Sequence, residues 1–134
     1  MAKNPLKKNR EKKDKLTLGD IWPLRMTLKR ILTQQMEAKA AYALAKLART
    51  FDKEFSAIEA ARIALVEKHG AKFKKEDGGI TIPEGSPEWN SFQEEFQELL
   101  DQESDISFEG LNIDHLSSIR ISPDEMSKLS PYIE

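Results

Sequence analysis

Residues that could do acid–base or metal chemistry are few in this 134-residue chain. It has no Cys, which excludes a disulfide, a thiolate nucleophile and a zinc–sulfur site. Its two histidines, His69 and His115, are far apart in the sequence, and neither is accompanied by a second-ligand motif. The sequence also lacks an HExxH motif, a phosphate-binding glycine loop and a GxSxG element. We therefore predict no catalytic, metal-binding or cofactor-binding residues, no small-molecule substrate and no enzymatic activity.

Carboxylates are concentrated in one segment of the second half of the chain. Glu94, Glu98 and Asp101 recur at helical spacing, with Glu95 and Glu103 beside them. Carboxylate oxygens suit hard cations such as Ca²⁺. No Asp/Asn-rich loop organises these residues, however, and the solvated face of any helix has the same pattern. We predict an exposed acidic face that contacts a protein rather than a metal site.

Two aromatic residues fall outside the apolar stripes that predict a core. Trp22 lies near the edge of one stripe, and Tyr42 is poorly placed in the next. Trp and Tyr are enriched at the residues that dominate binding energy in protein interfaces. We therefore predict that Trp22 and Tyr42 are interface anchors, and we include Glu94, Glu98 and Asp101 in the same candidate protein interface.

The formal net charge of −2 conceals a strong asymmetry along the chain. Residues 1–75 carry nineteen Lys/Arg against eight Asp/Glu, a net charge of +11, whereas residues 76–134 carry two against fifteen, a net charge of −13. Such halves predict head-to-tail assembly, or separate contacts with anionic and cationic surfaces. The alternative is that both ends only keep the fold in solution.

The first fifteen residues are predicted to form a basic, flexible N-terminal arm, because they contain too little apolar surface to fold. The arm is a candidate contact for nucleic acid or another anionic partner through Lys7, Lys8, Arg10, Lys12 and Lys13. No aromatic residue lies among them to stack on bases. The arm lacks an apolar segment, so we predict no signal peptide. The chain lacks a run of 18 apolar residues, so we predict no transmembrane span, and we predict no membrane partner.

The rest of the chain, residues 16–134, is predicted to be a single domain that is mainly α within the α+β class. Apolar residues at helical spacing predict helices over residues 21–34, 37–69 and 87–100, and a short final helix that Ser122 caps. The first two form a long helical hairpin, and the third packs on it. The aromatic residues at core spacing are Phe51, Phe55, Trp89, Phe92 and Phe96.

The long helix carries a seam of apolar residues. Leu44, Phe51, Ile58 and Leu65 recur every seven residues, as in a coiled coil. A helix over 37–69 is about 50 Å long, whereas a compact chain of this length is about 36 Å across. We therefore predict that the helix either kinks near Thr50 or packs its end on a partner.

Short β-strands are predicted to cover one end of the helices. Alternating apolar residues indicate them over residues 16–18, 72–82 and 104–121. Asp77-Gly78, in the second of these stretches, is typical of a hairpin turn.

Seven short segments along residues 16–134 occur in a characteristic order. They are Leu16-Thr17-Leu18, Lys39 to Leu47, Phe51 to Phe55, Glu59-Ala60-Ala61-Arg62, Glu67-Lys68-His69-Gly70, Phe92 to Leu100 and Ile121-Ser122-Pro123-Asp124. In this order they resemble a family of small proteins of unknown function encoded by tailed bacteriophages and prophages. The basic arm is not part of the family pattern.

The resemblance implies a small non-enzymatic phage protein that acts by protein–protein contact. It would be a virion structural or assembly component in the host cytoplasm or the virion, forming a homo-oligomer or binding another phage or host protein. The alternative is a phage-encoded inhibitor of a host enzyme, whose acidic second half mimics nucleic acid.

Overall fold

The chain is mainly helical in a computed structural model that describes residues 16–134. Within that range the α-helices are α1 (Leu18–Ile21), α2 (Leu24–Ile31), α3 (Ala38–Gly70), α4 (Pro87–Leu100) and α5 (Pro123–Leu129). Short 3₁₀ helices span Ala71–Phe73, Ile113–Leu116 and Ser130–Tyr132. The predicted helical character is confirmed.

The first predicted helix, over residues 21–34, differs from the structure in its bounds. The chain forms two short helices there, α1 and α2, with Pro23 between them. Thr17 caps α1: its hydroxyl accepts a hydrogen bond from the backbone N–H of Asp20, and the Asp20 carboxylate accepts one from the N–H of Thr17. This reciprocal capping box satisfies two backbone donors, so the helix begins earlier than the apolar stripe indicates.

A kink near Thr50 was one of the two predicted consequences of the length of this helix. Helix α3 is instead continuous through Thr50. The hydroxyl of Thr50 donates to the carbonyl oxygen of Lys46 within the helix. Its 33 residues span about 50 Å. The chain itself covers one side of α3 along its length, with α4 on the C-terminal half and with α1, α2 and the segment after α4 also packed against it. The length of α3 therefore does not require a partner.

Helix α4, rather than the first predicted helix, makes the most extensive helix–helix contact with α3. The two run antiparallel. Lys72, just beyond the end of α3, pairs with Glu88 at the start of α4 at 2.7 Å. Beyond the end of α4, the Ser104 hydroxyl donates to the Glu54 carboxylate at 3.0 Å.

The core is centred on the apolar seam of α3. Its most deeply buried residues there are Leu44, Phe51 and Ile58, each at most 1% exposed, while Leu65 is half-buried. The Phe51 ring lies 5.7 Å from that of Phe108 and 5.5 Å from that of Tyr132. Of the other aromatic residues predicted in the core, Phe55 and Phe92 are buried, whereas Trp89 and Phe96 are half-buried.

The predicted strands over 16–18 and 104–121 are wrong. Between residues 16 and 134 the β-structure consists of isolated bridges, two of which pair Thr17 with Glu103 and Leu111 with Ile133. Thr17 ends its extended stretch by capping α1, so no ladder can grow from its bridge. The alternating residues after α4 pack their side chains on the core without a neighbouring strand.

The predicted hairpin over 72–82 forms a turn but no strands. The Lys75 N–H donates to the Gly79 carbonyl, and Gly78 occupies the left-handed region at a φ of 88°. Only Lys74 and Ile80 form a bridge in this stretch. Ile80 instead packs against Gly70 at the end of α3, so the segment covers that end of the helix.

Candidate functional site

Tyr42 is exposed on the N-terminal half of α3. Its side chain is 69% exposed, whereas Leu44 and Leu47, in the next turn, face the core at 0% and 3%. The helical period that buries these two residues turns Tyr42 outward. Its role as an interface anchor stays a prediction.

A groove of about 600 Å³ lies beside Tyr42, between residues 39–50 of α3 and residues 107–111. The Lys46 side chain reaches across the groove, and its ammonium lies 2.5 Å from the Glu109 carboxylate and 5.9 Å from the centroid of the Tyr42 ring. The hydrogen bond from Lys46 lowers the pKa of Glu109, and the same bond raises the pKa of Lys46. Both partners are half or more exposed, so solvent screens the pair.

The interior of the groove is largely apolar. Leu47, Phe108 and Leu111 line it together with His115. The Nδ1 atom of His115 is buried and has no hydrogen-bond partner in the described part of the chain. The groove thus offers an apolar lining, a basic edge on α3 and one buried polar atom.

Trp22, the second predicted anchor, is half-buried between helices of the same chain. Its ring meets the Phe96 ring edge-on at 6.4 Å, and the Arg25 guanidinium lies 4.0 Å from its centroid. These contacts join α1 and α2 to α4. Its role at an interface also stays a prediction, and Tyr42 offers more free surface.

The acidic face, which we define as Glu94, Glu98 and Asp101, consists of two residues on the outside of α4 and the C-cap residue of that helix, and each is exposed. The Asp101 carboxylate accepts a hydrogen bond from the side-chain amide of Gln97 at 2.8 Å. Within residues 16–134 none of these carboxylates is in ion-pair distance of a basic group, although others on α4 are. Glu103 and Asp105 continue the exposed negative charge beyond the helix.

Glu95 differs from its acidic neighbours, because it is turned toward α3. Its Oε1 atom lies 2.7 Å from the Lys68 ammonium and 2.8 Å from Nε2 of His69. The hydrogen bond from Lys68, followed by that from His69, lowers the pKa of Glu95. This carboxylate therefore holds α4 to the end of α3 and is not part of the acidic face.

Residues 16–134 contain no cluster of His, Asp and Glu side chains that could hold a metal ion. In the same range no helix is both long and apolar enough to cross a membrane. The predicted anionic-partner contacts, Lys7, Lys8, Arg10, Lys12 and Lys13, lie outside the described residues. The first described residue, Leu16, accepts a hydrogen bond from the N–H of Ser104, just after α4.

Sequence reasoning missed most of the groove. Lys39 and Lys46 flank Tyr42 at three and four residues on α3, and that helical spacing is the signal that was available. The opposite wall had no such signal, because it is formed by residues far along the chain: Phe108 lies 62 residues after Lys46, and His115 lies further still.

No known protein family, curated protein or solved structure matches this chain. The resemblance to the phage family thus stays a prediction.

Proposed function

We propose that this chain is a non-enzymatic protein that acts by protein–protein contact. The observation that carries the proposal is the 69% exposure of Tyr42 on a long helix beside an open groove. Aromatic residues anchor many interfaces because they bury a large area with few rotatable bonds. Lys39 and Lys46, one turn to either side, favour a partner with acidic groups.

The acidic face of α4 supports the same proposal. The chain carries a basic surface on α3 and an acidic surface on α4, each exposed. A single protein with two complementary surfaces can associate with copies of itself in a head-to-tail manner. We propose that it works as a homo-oligomer or as a member of a larger assembly.

The resemblance to the phage family leads us to propose a virion structural or assembly component, present in the host cytoplasm or in the virion. Mass spectrometry of particles and assembly intermediates purified from cells that produce the phage tests this role. We expect peptides of the chain at a constant ratio to a capsid protein. Absence from both fractions would contradict the role, and finished particles mixed with added chain and purified again control for adsorption.

A second candidate, an inhibitor of a host enzyme, is favoured by one observation. Glu94 and Glu98 on α4 and Asp101 at its C-cap are exposed without an ion-pair partner in the described range. Carboxylates so placed would suit a groove that binds phosphates.

Affinity capture from host lysate tests the inhibitor. We expect one host nucleic-acid enzyme to bind, to be released by salt and to be lost with the triple variant E94K/E98K/D101K. The matched control, E67K/E76K/E84K, makes the same charge change at exposed acids elsewhere and should keep binding. Equal binding by the two variants would contradict acidic mimicry by α4.

A further inference from the structure

We infer that the groove side of α3 binds the acidic face of α4 from a second copy of the chain, with the two helices antiparallel. The inference rests on the proposed function, because it names the partner of the proposed contact surface. It is carried by matched spacing, by charge and by the position of each surface on the molecule.

The spacings of the two surfaces match. On α3, three exposed side chains fall at relative positions 0, 3 and 7, namely Lys39, Tyr42 and Lys46. Read backwards from Asp101, the C-cap residue of α4, the acidic face falls at the same intervals, as Asp101, Glu98 and Glu94. Each set spans about 10.5 Å at 1.5 Å per residue. An antiparallel contact thus puts a carboxylate opposite each lysine, and a third carboxylate opposite Tyr42.

The groove already holds a carboxylate that can be replaced. Glu109 pairs with Lys46, but the Glu109 side chain is 77% exposed and that of Lys46 is 50% exposed. Such an ion pair adds little to stability, so exchange with another carboxylate is easy. Glu94 of a second copy would take the place of Glu109, and Tyr42 would cover the contact from water.

The acidic face cannot reach the groove of its own chain. Glu95, beside Glu94, is bound to Lys68 near the C-terminal end of α3. Lys46 lies 22 residues earlier on the same helix, which corresponds to about 33 Å. The contact must therefore join two copies, and a contact between two different surfaces builds a ring or a filament.

Charge reversal followed by sedimentation velocity tests the inference on the full chain. The double variants K39E/K46E and E94K/D101K each break the contact, and we expect each to weaken self-association at least about tenfold. The quadruple variant K39E/K46E/E94K/D101K exchanges the charges of both surfaces at unchanged net charge. We expect it to associate as the wild type does, which a folding defect could not produce.

Matched controls separate local contact from overall charge. K29E/K75E and E76K/E84K make equal charge changes at exposed residues elsewhere and should associate as the wild type does. Added salt should weaken association of the wild type and of the quadruple variant alike.

Two results would overturn the inference. If the wild type associates but the quadruple variant stays as weak as the doubles, the contact lies elsewhere and the proposed function stands. If the wild type remains a monomer up to millimolar concentration, the self-contact does not exist. The mass spectrometry of particles then decides the proposed function separately.

Discussion

The Lys46 ammonium lies 2.5 Å from the Glu109 carboxylate, across the groove that Tyr42 borders. This pair joins the N-terminal half of α3 to the segment after α4. Since both side chains are well exposed, the pair closes the groove only weakly. The groove is thus a surface that a partner's carboxylate could enter without disrupting the core.

Replacing Tyr42 by alanine should weaken self-association while leaving the fold intact. The side chain is 69% exposed, so we expect the free energy of unfolding to change by less than about 0.5 kcal/mol. As an interface anchor, its loss should weaken association about tenfold or more. Sedimentation and urea unfolding measure the two effects, and I63A, at an exposed site further along α3, is the control. Equal association by the two variants would rule out Tyr42 as an anchor.

Two leucines of the same seam should respond differently to truncation. Leu44 is fully buried, whereas Leu65 is half-buried. We expect L44A to lower the free energy of unfolding by about 2–5 kcal/mol, because it leaves a cavity in the core. L65A should lower it clearly less, since water can reach its site. Urea unfolding curves compare the variants, and equal losses would contradict the burial along α3.

Because of Glu125, the stability of the fold should depend on pH in the acid range. Its hydrogen bond with Arg30, and then that from the Ser122 N–H, lower its pKa from 4.5 to about 2. The carboxylate is therefore more acidic in the folded chain than in the unfolded one. The contribution of Glu125 to the free energy of unfolding is complete above pH 4.5 and is lost as the pH falls toward 2.

The variant E125Q tests this dependence through the Tm measured against pH. It should melt below the wild type above pH 4.5, and the difference should shrink as the pH falls toward 2. D124N, at the exposed neighbouring carboxylate, is the control. A Tm difference between the wild type and E125Q that is constant over this range would show that Glu125 does not titrate as described.

Gly70 should resist replacement by alanine at the end of α3. A Cβ atom there would lie 2.5 Å from Cγ2 of Ile80 and 2.9 Å from Cγ1 of Ile82. Within a helix this change normally stabilises by about 1 kcal/mol. Here we expect a loss of about 1–3 kcal/mol from the clash.

A double-mutant cycle identifies the source of that loss. In G70A/I80A the nearest methyl group is removed, so the double variant should be more stable than the sum of the single effects predicts. Unfolding free energies from urea give all four corners of the cycle. Additive effects would show that Ile80 does not pack on Gly70.

Local signals in the sequence predicted the later helices well. Ser122 caps the last helix as predicted, and Ser86 caps α4 in the same way, each before a helix whose first residue is proline. A cap depends on residues within one turn, so the sequence alone contains it. The prediction of strands failed because strand pairing depends on residues that are distant in the sequence. Thr17, for example, meets Glu103 at a single bridge and then starts a helix.

The candidate site, too, could be predicted from the sequence only in part. The outward position of Tyr42 follows from the seven-residue seam of α3, because helical geometry links the two. The groove beside it could not be predicted, since Phe108 and Glu109 reach α3 only through the fold of the whole C-terminal segment. Likewise, the ion pair of Glu95 with Lys68 could not be predicted, since these residues meet only through the packing of α4 on α3.

Zero-length carbodiimide cross-linking of a mixture of ¹⁴N- and ¹⁵N-labelled chains tests the central claim most directly. The pairs Lys46–Glu109 and Lys68–Glu95 lie in contact within one chain, so their cross-links are internal controls of a single isotope. The account predicts additional mixed-isotope cross-links that join Lys46 to Glu94 and Lys39 to Asp101. Recovery of the internal cross-links without any mixed-isotope pair between α3 and α4 would contradict it.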